Sequence, residues 1–144
     1  MNRAILPLLA LLLPFQPLLQ NPAQAKPTHV LHTALPGEAL AETSALVVDI
    51  RQPQEWVQTG VLPNALLLTF ADPAQFLAEL RPHLQPGQPV LLICRTGNRT
   101  AHAAAMIAPH LDVPVVDVTG GMLRLITQGY HPASPRAAQG CSIC

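Results

Sequence analysis

Hydrophobic residues in this chain fall in short unbroken runs more often than in alternation, and proline, glycine or charged positions bound the runs. Residues 90–93 (VLLI) lead without a polar position into Cys94, the pattern of a strand buried on both faces that delivers a thiol at its C-terminal end. A β-branched run at 46–50 predicts a second buried strand, and 64–68 a third. Residues 113–118 predict a last strand, which Pro114 either places at a sheet edge or delays in starting. Val30 and Leu31 begin a short ordered stretch upstream.

Helical patterns fall between these runs. A small helix over 38–42 follows Gly37, and Asp72-Pro73 reads as an N-cap followed by proline at the first helical position. That helix runs to about Leu80 with Phe76, Leu77 and Leu80 on one face. An Ala-rich helix from about Arg99 ends near Pro109, and 122–128 is a short helix closed by Gly129. Strands alternating with helices predict an α/β fold, a parallel sheet of about five strands with helices on both faces. Such sheets bind ligands at the carboxyl ends of their strands, and Cys94 stands at one.

The first 25 residues read differently. Met1-Asn2-Arg3 is a short cationic start, 4–13 is apolar, and Ala23-Gln24-Ala25 is a cleavage site of the A-x-A kind. The run is short for a membrane span and is broken by Pro7, Pro14 and Pro17, so a cleaved signal peptide is expected rather than a stable membrane anchor. The domain then covers 26–132, and 133–144 is read as a flexible C-terminal tail. Export to a periplasm or to the exterior follows as an expectation, and with it an oxidising setting. The mature chain would carry seven basic and eight acidic residues, with a single lysine and few aromatics. Such a surface has no basic patch or stacking platform for nucleic acid.

Chemistry concentrates after Cys94. Arg95, Thr96, Gly97, Asn98 and Arg99 form a short polar turn at a helix start, where unpaired backbone N–H groups and two guanidinium groups make a site for an anion. A thiol in that field is expected to ionise more readily than a free cysteine, and the thiolate is the nucleophile. Cys94 is thus the candidate catalytic residue, and 95–99 are candidate substrate-binding residues.

In combination with two other blocks, Cys94-Arg95-Thr96-Gly97-Asn98-Arg99 resembles the active-site loop of rhodanese-type sulfurtransferases, C-R-x-G-x-R. Asp49, Arg51, Glu55-Trp56 and Gly60 through Ala65 resemble the family's N-terminal signature, and Val116 through Gly121 with Gly129-Tyr130-His131-Pro132 its C-terminal one. The resemblance implies a rhodanese-like sheet and a two-step transfer. Cys94 takes the outer sulfur of thiosulfate, polysulfide or a related small anionic donor as a persulfide, and a thiol, cyanide or a protein acceptor removes it. It also implies that Asp49, Arg51 and Glu55 are structural ion-pairing supports, that Trp56 is core, that Arg95 and Arg99 hold the donor's sulfonate, and that no cofactor or metal is needed. Phosphatases of similar architecture use C-x5-R. The C-x4-R spacing here makes a smaller cradle, suited to sulfur rather than to a tetrahedral phosphate.

Cys141 and Cys144 lie outside these blocks. They form either a local disulfide or a redox pair that a mobile tail carries to the Cys94 persulfide. With a protein acceptor, that relay makes the chain a sulfur carrier or binding module, the alternative to a thiosulfate enzyme. Their C-x-x-C spacing supplies too few ligands for a metal unless His29 or His131 is recruited. His102 is expected at the surface or as a cap, and His29 and His32 have no assigned role.

Overall fold

The computed structural model describes residues 30–144. The signal-peptide reading of 1–25 and His29 lie outside them. Five strands, β1 (Val30–Thr33), β2 (Leu46–Asp49), β3 (Leu66–Leu67), β4 (Val90–Ile93) and β5 (Val115–Val118), form one sheet in the order β1-β5-β4-β2-β3. Every pairing is parallel. The helices are α1 (Gly37–Glu42), α2 (Pro53–Thr59), α3 (Pro73–Leu80), α4 (Asn98–Ile107) and α5 (Gly121–Thr127).

Alternation along the buried strands divides the interior in two. Val48, Val90, Leu92 and Val115 face one core with Phe76, Leu77 and Leu80 of α3 and Ala103, Ala104 and Ile107 of α4. Val47, Leu91, Ile93, Val116 and Val118 face the other, with Leu40 of α1, Trp56 of α2 and Met122 and Leu125 of α5. Both faces of β4 are therefore covered, which is why all four of its residues are apolar and buried. The predicted α/β sandwich is the one found, and α3 starts where expected, the Asp72 side chain accepting from the Gln75 N–H.

Two expectations are corrected, one open alternative is decided and one helix was missed. Helix α2 was not read from the pattern, although Pro53 at its first position, Glu55 reaching back to the Gln52 N–H at 3.1 Å and Gly60 at its end all mark it. Of the two readings of Pro114, the later start holds, and strand β5 is interior. It starts after Pro114, whose carbonyl accepts from the Val90 N–H at 2.9 Å, so proline's missing donor falls outside the paired residues. Strand β3 is only two residues long.

The last correction concerns 133–144, which are docked and not a free tail. Ala133 and Val61 exchange both backbone hydrogen bonds, at 2.8 and 2.9 Å. A 3-10 turn over Ala137–Gln139 then places the Gln139 amide among the carbonyls of Leu62 and Ala65, at 3.1 Å each, and of Pro63 at 3.3 Å. Because β3 is so short, those carbonyls have no strand beside them, and Gln139 supplies the donor instead. Cys141 is buried against the second core and is joined to Cys144 in a disulfide.

Candidate active site

Strand β4 delivers Cys94 to the end of the sheet, where it is fully buried. The chain turns through Arg95 and Thr96 to Gly97, which stands at φ 95° as the N-cap of α4. This left-handed conformation brings the Gly97 N–H back onto the Cys94 Sγ at 3.1 Å. The loop's outward side is held from below by the start of α5, whose Met122 and Leu123 N–H groups donate to the carbonyls of Cys94 and Arg95 at 2.8 and 2.9 Å. Gly121 permits that approach, since a Cβ there would overlap both carbonyls. The Gly-Gly pair is thus the seat on which the thiol loop rests.

The supports read as one cluster from the sequence separate into two. Arg51 and Asp49 form a buried pair, with Nε on Oδ1 at 2.9 Å and an Nη on Oδ2 at 2.7 Å. The remaining Arg51 donors reach Thr59 Oγ1 at 2.6 Å, the Gly60 carbonyl at 2.7 Å and the Glu55 carbonyl at 3.3 Å, which ties β2 to both ends of α2. Burial pushes the Asp49 carboxyl up from its ordinary value, and the Arg51 guanidinium opposes that push. Trp56 packs beside this pair as the core residue expected.

Glu55 belongs elsewhere. Its two carboxylate oxygens take a two-pronged pair of hydrogen bonds from Arg99, each 2.7 Å long. That contact holds Glu55 below the usual carboxylate range and raises Arg99 in turn, with Cys94 adding a smaller push on the guanidinium. Arg99, expected to hold a donor together with Arg95, is engaged here in linking α4 to α2.

The Arg95 side chain makes no hydrogen bond or ion pair among the described residues, and the residue is exposed. With Arg51, Glu55, Gln58 and Thr59 it lines a cavity of about 100 Å³. An adjoining one of about 80 Å³ adds an apolar wall of Met122, Leu123 and Ile126. Thr96 and Asn98 are exposed on the same loop. A larger hollow of about 430 Å³ beside α3 contains no thiol.

Three residues that the sequence reading passed over stand behind the thiol. Thr100 Oγ1 lies 3.6 Å from Cys94 Sγ and also bonds the Gly97 carbonyl at 2.9 Å. The same hydroxyl bonds Asp117 Oδ1, and Asp117 Oδ2 meets His32 Nδ1 at 2.8 Å. Parallel pairing of β1 with β5 sets His32 beside Asp117. The one sequence signal for this cluster is Asp117 itself, a carboxylate within an otherwise apolar strand. Such a group needs partners.

Cys141 and Cys144 are not brought to the site. Cys94 packs with the α3/α4 core and Cys141 with the opposite one, so the sheet lies between them. His102 is exposed on α4, as expected, and His131 is exposed past α5.

Comparison with known proteins places this geometry. Residues 36–126 match the profile of the rhodanese-like domain, more than half of the chain and all of the site except His32. A rhodanese-related protein from Thermoplasma volcanium is 26% identical with a TM-score of 0.50, covering 67% of this chain and 93% of its own. The rhodanese-like domain protein of Staphylococcus aureus is 19% identical with a TM-score of 0.52, covering 73% and 98%. A protein from Rhodopseudomonas palustris described as a possible tyrosine phosphatase shares the fold at 22% identity and a TM-score of 0.54, covering 67% and 80%. A search of curated proteins finds no match. With a thiol loop seated on a Gly-Gly turn at the end of a five-stranded parallel sheet, and a profile match spanning that loop, that turn and four of the five strands, the chain belongs to the rhodanese-like domain family.

Proposed function

We propose that this protein is a sulfurtransferase that moves sulfane sulfur from thiosulfate or a polysulfide to a thiophilic acceptor through a Cys94 persulfide. The observation that carries the reading is the hydrogen bond from the Gly97 N–H to Cys94 Sγ beside an unpaired Arg95. A donor fixed on the sulfur favours an anionic sulfur, whether thiolate or persulfide. In the first step the Cys94 thiolate attacks the outer sulfur of thiosulfate, the S–S bond of the donor breaks, and its electron pair leaves with sulfite. In the second, an acceptor such as a thiol or cyanide attacks the outer persulfide sulfur and releases the Cys94 thiolate. Arg95 is the guanidinium with free donors for the sulfonate. Arg99 acts through Glu55 to keep the loop in place.

The apolar wall of Met122, Leu123 and Ile126 beside Arg95 supports a protein as an acceptor, because Leu123 is 46% and Ile126 37% exposed at the mouth. The N-terminal cationic and apolar segment supports a periplasmic or secreted location with the mature chain starting at Lys26. Peptide-level mass spectrometry of exported protein before and after thiosulfate tests both parts. The expected result is a chain beginning at Lys26 that gains one sulfur atom on Cys94, with no gain in Cys94→Ser. A Cys94 left unmodified by thiosulfate and by polysulfide would overturn transfer and leave a binding module.

A further inference from the structure

The transfer chemistry starts from a thiolate, yet Cys94 has no exposed surface from which its thiol proton could pass directly to water. Among the described residues the Gly97 N–H and the Thr100 hydroxyl lie against its sulfur, and the Arg99 guanidinium also acts on it. The Gly97 N–H can only donate, whereas the Thr100 hydroxyl can both accept and donate. Thr100 has a single hydrogen and three neighbours for it: Cys94 Sγ, the Gly97 carbonyl and Asp117 Oδ1. When Asp117 is ionised, that hydrogen goes to the carboxylate and the Thr100 oxygen is left to accept the Cys94 S–H. When Asp117 is protonated, it donates to Thr100 and the hydroxyl hydrogen is free for a thiolate. The network therefore has two arrangements that differ by one proton shift along the same contacts.

We propose that Thr100, Asp117 and His32 form a proton relay that carries the Cys94 thiol proton to solvent. The proposal rests on the reading of Cys94 as the nucleophile. The S–H bond breaks with its electron pair remaining on sulfur, and the proton passes to Thr100 Oγ1 as that hydroxyl's own proton passes to Asp117 Oδ1. Thiol and carboxylate have become thiolate and carboxylic acid. The Asp117 carboxyl then turns to bring its protonated oxygen to His32 Nδ1, gives the proton to the imidazole, which becomes imidazolium, and returns as a carboxylate, while His32, with its side chain 57% exposed, passes the proton to water. Thr100 touches the reacting sulfur and is the catalytic member. Asp117, 3% exposed, and His32 act through it.

The surroundings leave this path little competition. Strand β5 carries no charged residue besides Asp117, and β1 none besides His32. Helix α4 carries Thr100, the exposed His102 and Arg99, whose guanidinium is paired with Glu55 and also acts on Cys94, favouring the thiolate without taking up its proton. Strand β4 ends at Cys94 itself.

The test is the rate at which iodoacetamide alkylates Cys94 in the full chain, followed by peptide mass spectrometry from mildly acidic to mildly alkaline pH. His32→Ala, an edge-strand change at the surface, leaves the buried Asp117–Thr100 contact in place. It should slow alkylation at neutral pH by about tenfold, a modest share of what general acid–base groups supply, and move the rate profile toward alkali. Added imidazole should restore the rate in His32→Ala, but not in Asp117→Asn or Thr100→Val. Thr100→Ser, which keeps the hydroxyl, should recover what Thr100→Val loses. A folded His32→Ala or Asp117→Asn protein with the wild-type profile would overturn the relay, as would failure of imidazole to rescue His32→Ala. Alkylation needs no sulfur donor. A wild-type Cys94 that alkylates in this pattern yet gains no sulfur from thiosulfate or polysulfide would support the relay and overturn the sulfurtransferase reading instead.

Discussion

Two ion pairs flank the thiol loop, and they differ in nearly every physical respect. The Asp49–Arg51 pair has side chains 0% and 1% exposed, and all of the Arg51 donors are engaged inside the β2–α2 corner. Side chains of the Glu55–Arg99 pair are 22% and 41% exposed, and its partners lie 44 residues apart. The first is a fully wired interior group, in which loss of one partner strands the other without water. The second is a clasp between α2 and α4 that water can replace. A motif spanning seven residues thus supplies both a part of the scaffold and a part of the site's rim.

Cutting the buried pair should have the largest effect. Asp49→Ala should lower the unfolding free energy by about 3–5 kcal/mol in urea denaturation, since Arg51 is left charged and buried. Should the loss come out below about 1 kcal/mol, the contrast between the pairs would collapse. Gln139 sharpens the comparison, because it is buried and polar but uncharged. Gln139→Ala removes the donor shared by the Leu62, Pro63 and Ala65 carbonyls and should cost about 1–3 kcal/mol, and protease cleavage within 133–144 should become faster.

Opening the exposed clasp should matter least for stability. Glu55→Gln should change the unfolding free energy by under about 1 kcal/mol, with a difference that shrinks further as salt is added. The transfer step should respond more than the fold does, because Arg99 is released beside the thiol loop. Donor affinity, read from the thiosulfate dependence of persulfide formation, is the measurement. Acid provides a finer probe. Arg99 lowers Glu55 in the folded protein from an ordinary value of 4.5, so the unfolded chain binds more protons in that range. The clasp's contribution is complete above the ordinary carboxylate value and is lost as pH falls through the lowered one. Urea midpoints of the wild type and Glu55→Gln should therefore differ at neutral pH and converge in acid.

Local patterns made much of this molecule legible. Strand β4 was readable because a strand covered on both faces must be apolar at every position, and α3 because Asp72-Pro73 is a complete start signal. Helix α2 escaped because it is short and its buried apolar face reduces to Trp56, too little for a helical period to show. The position of β5 stayed open between edge and interior because a proline just before a strand and a proline in an edge strand look alike in sequence. The tail reads as flexible from its small and polar residues. Its docking depends on carbonyls around Leu62 that only a truncated β3 leaves open.

At the site, Cys94 and its polar loop could be identified from residue types alone, since a thiol, two arginines and a glycine within six positions already imply an anion-handling nucleophile. The sequence by itself thus determined the candidate nucleophile, the α/β sheet that presents it and the charged groups available around it, because these depend on neighbours in the chain. Tertiary structure decided which arginine stays free, which carboxylate serves which cation, and that the Cys141–Cys144 disulfide lies across the sheet from Cys94. It also joined His32 to Asp117 across 85 residues and Asp117 to Thr100 across 17. Those pairings arise from strand order and register, and a parallel sheet sets both only after the chain has crossed over itself.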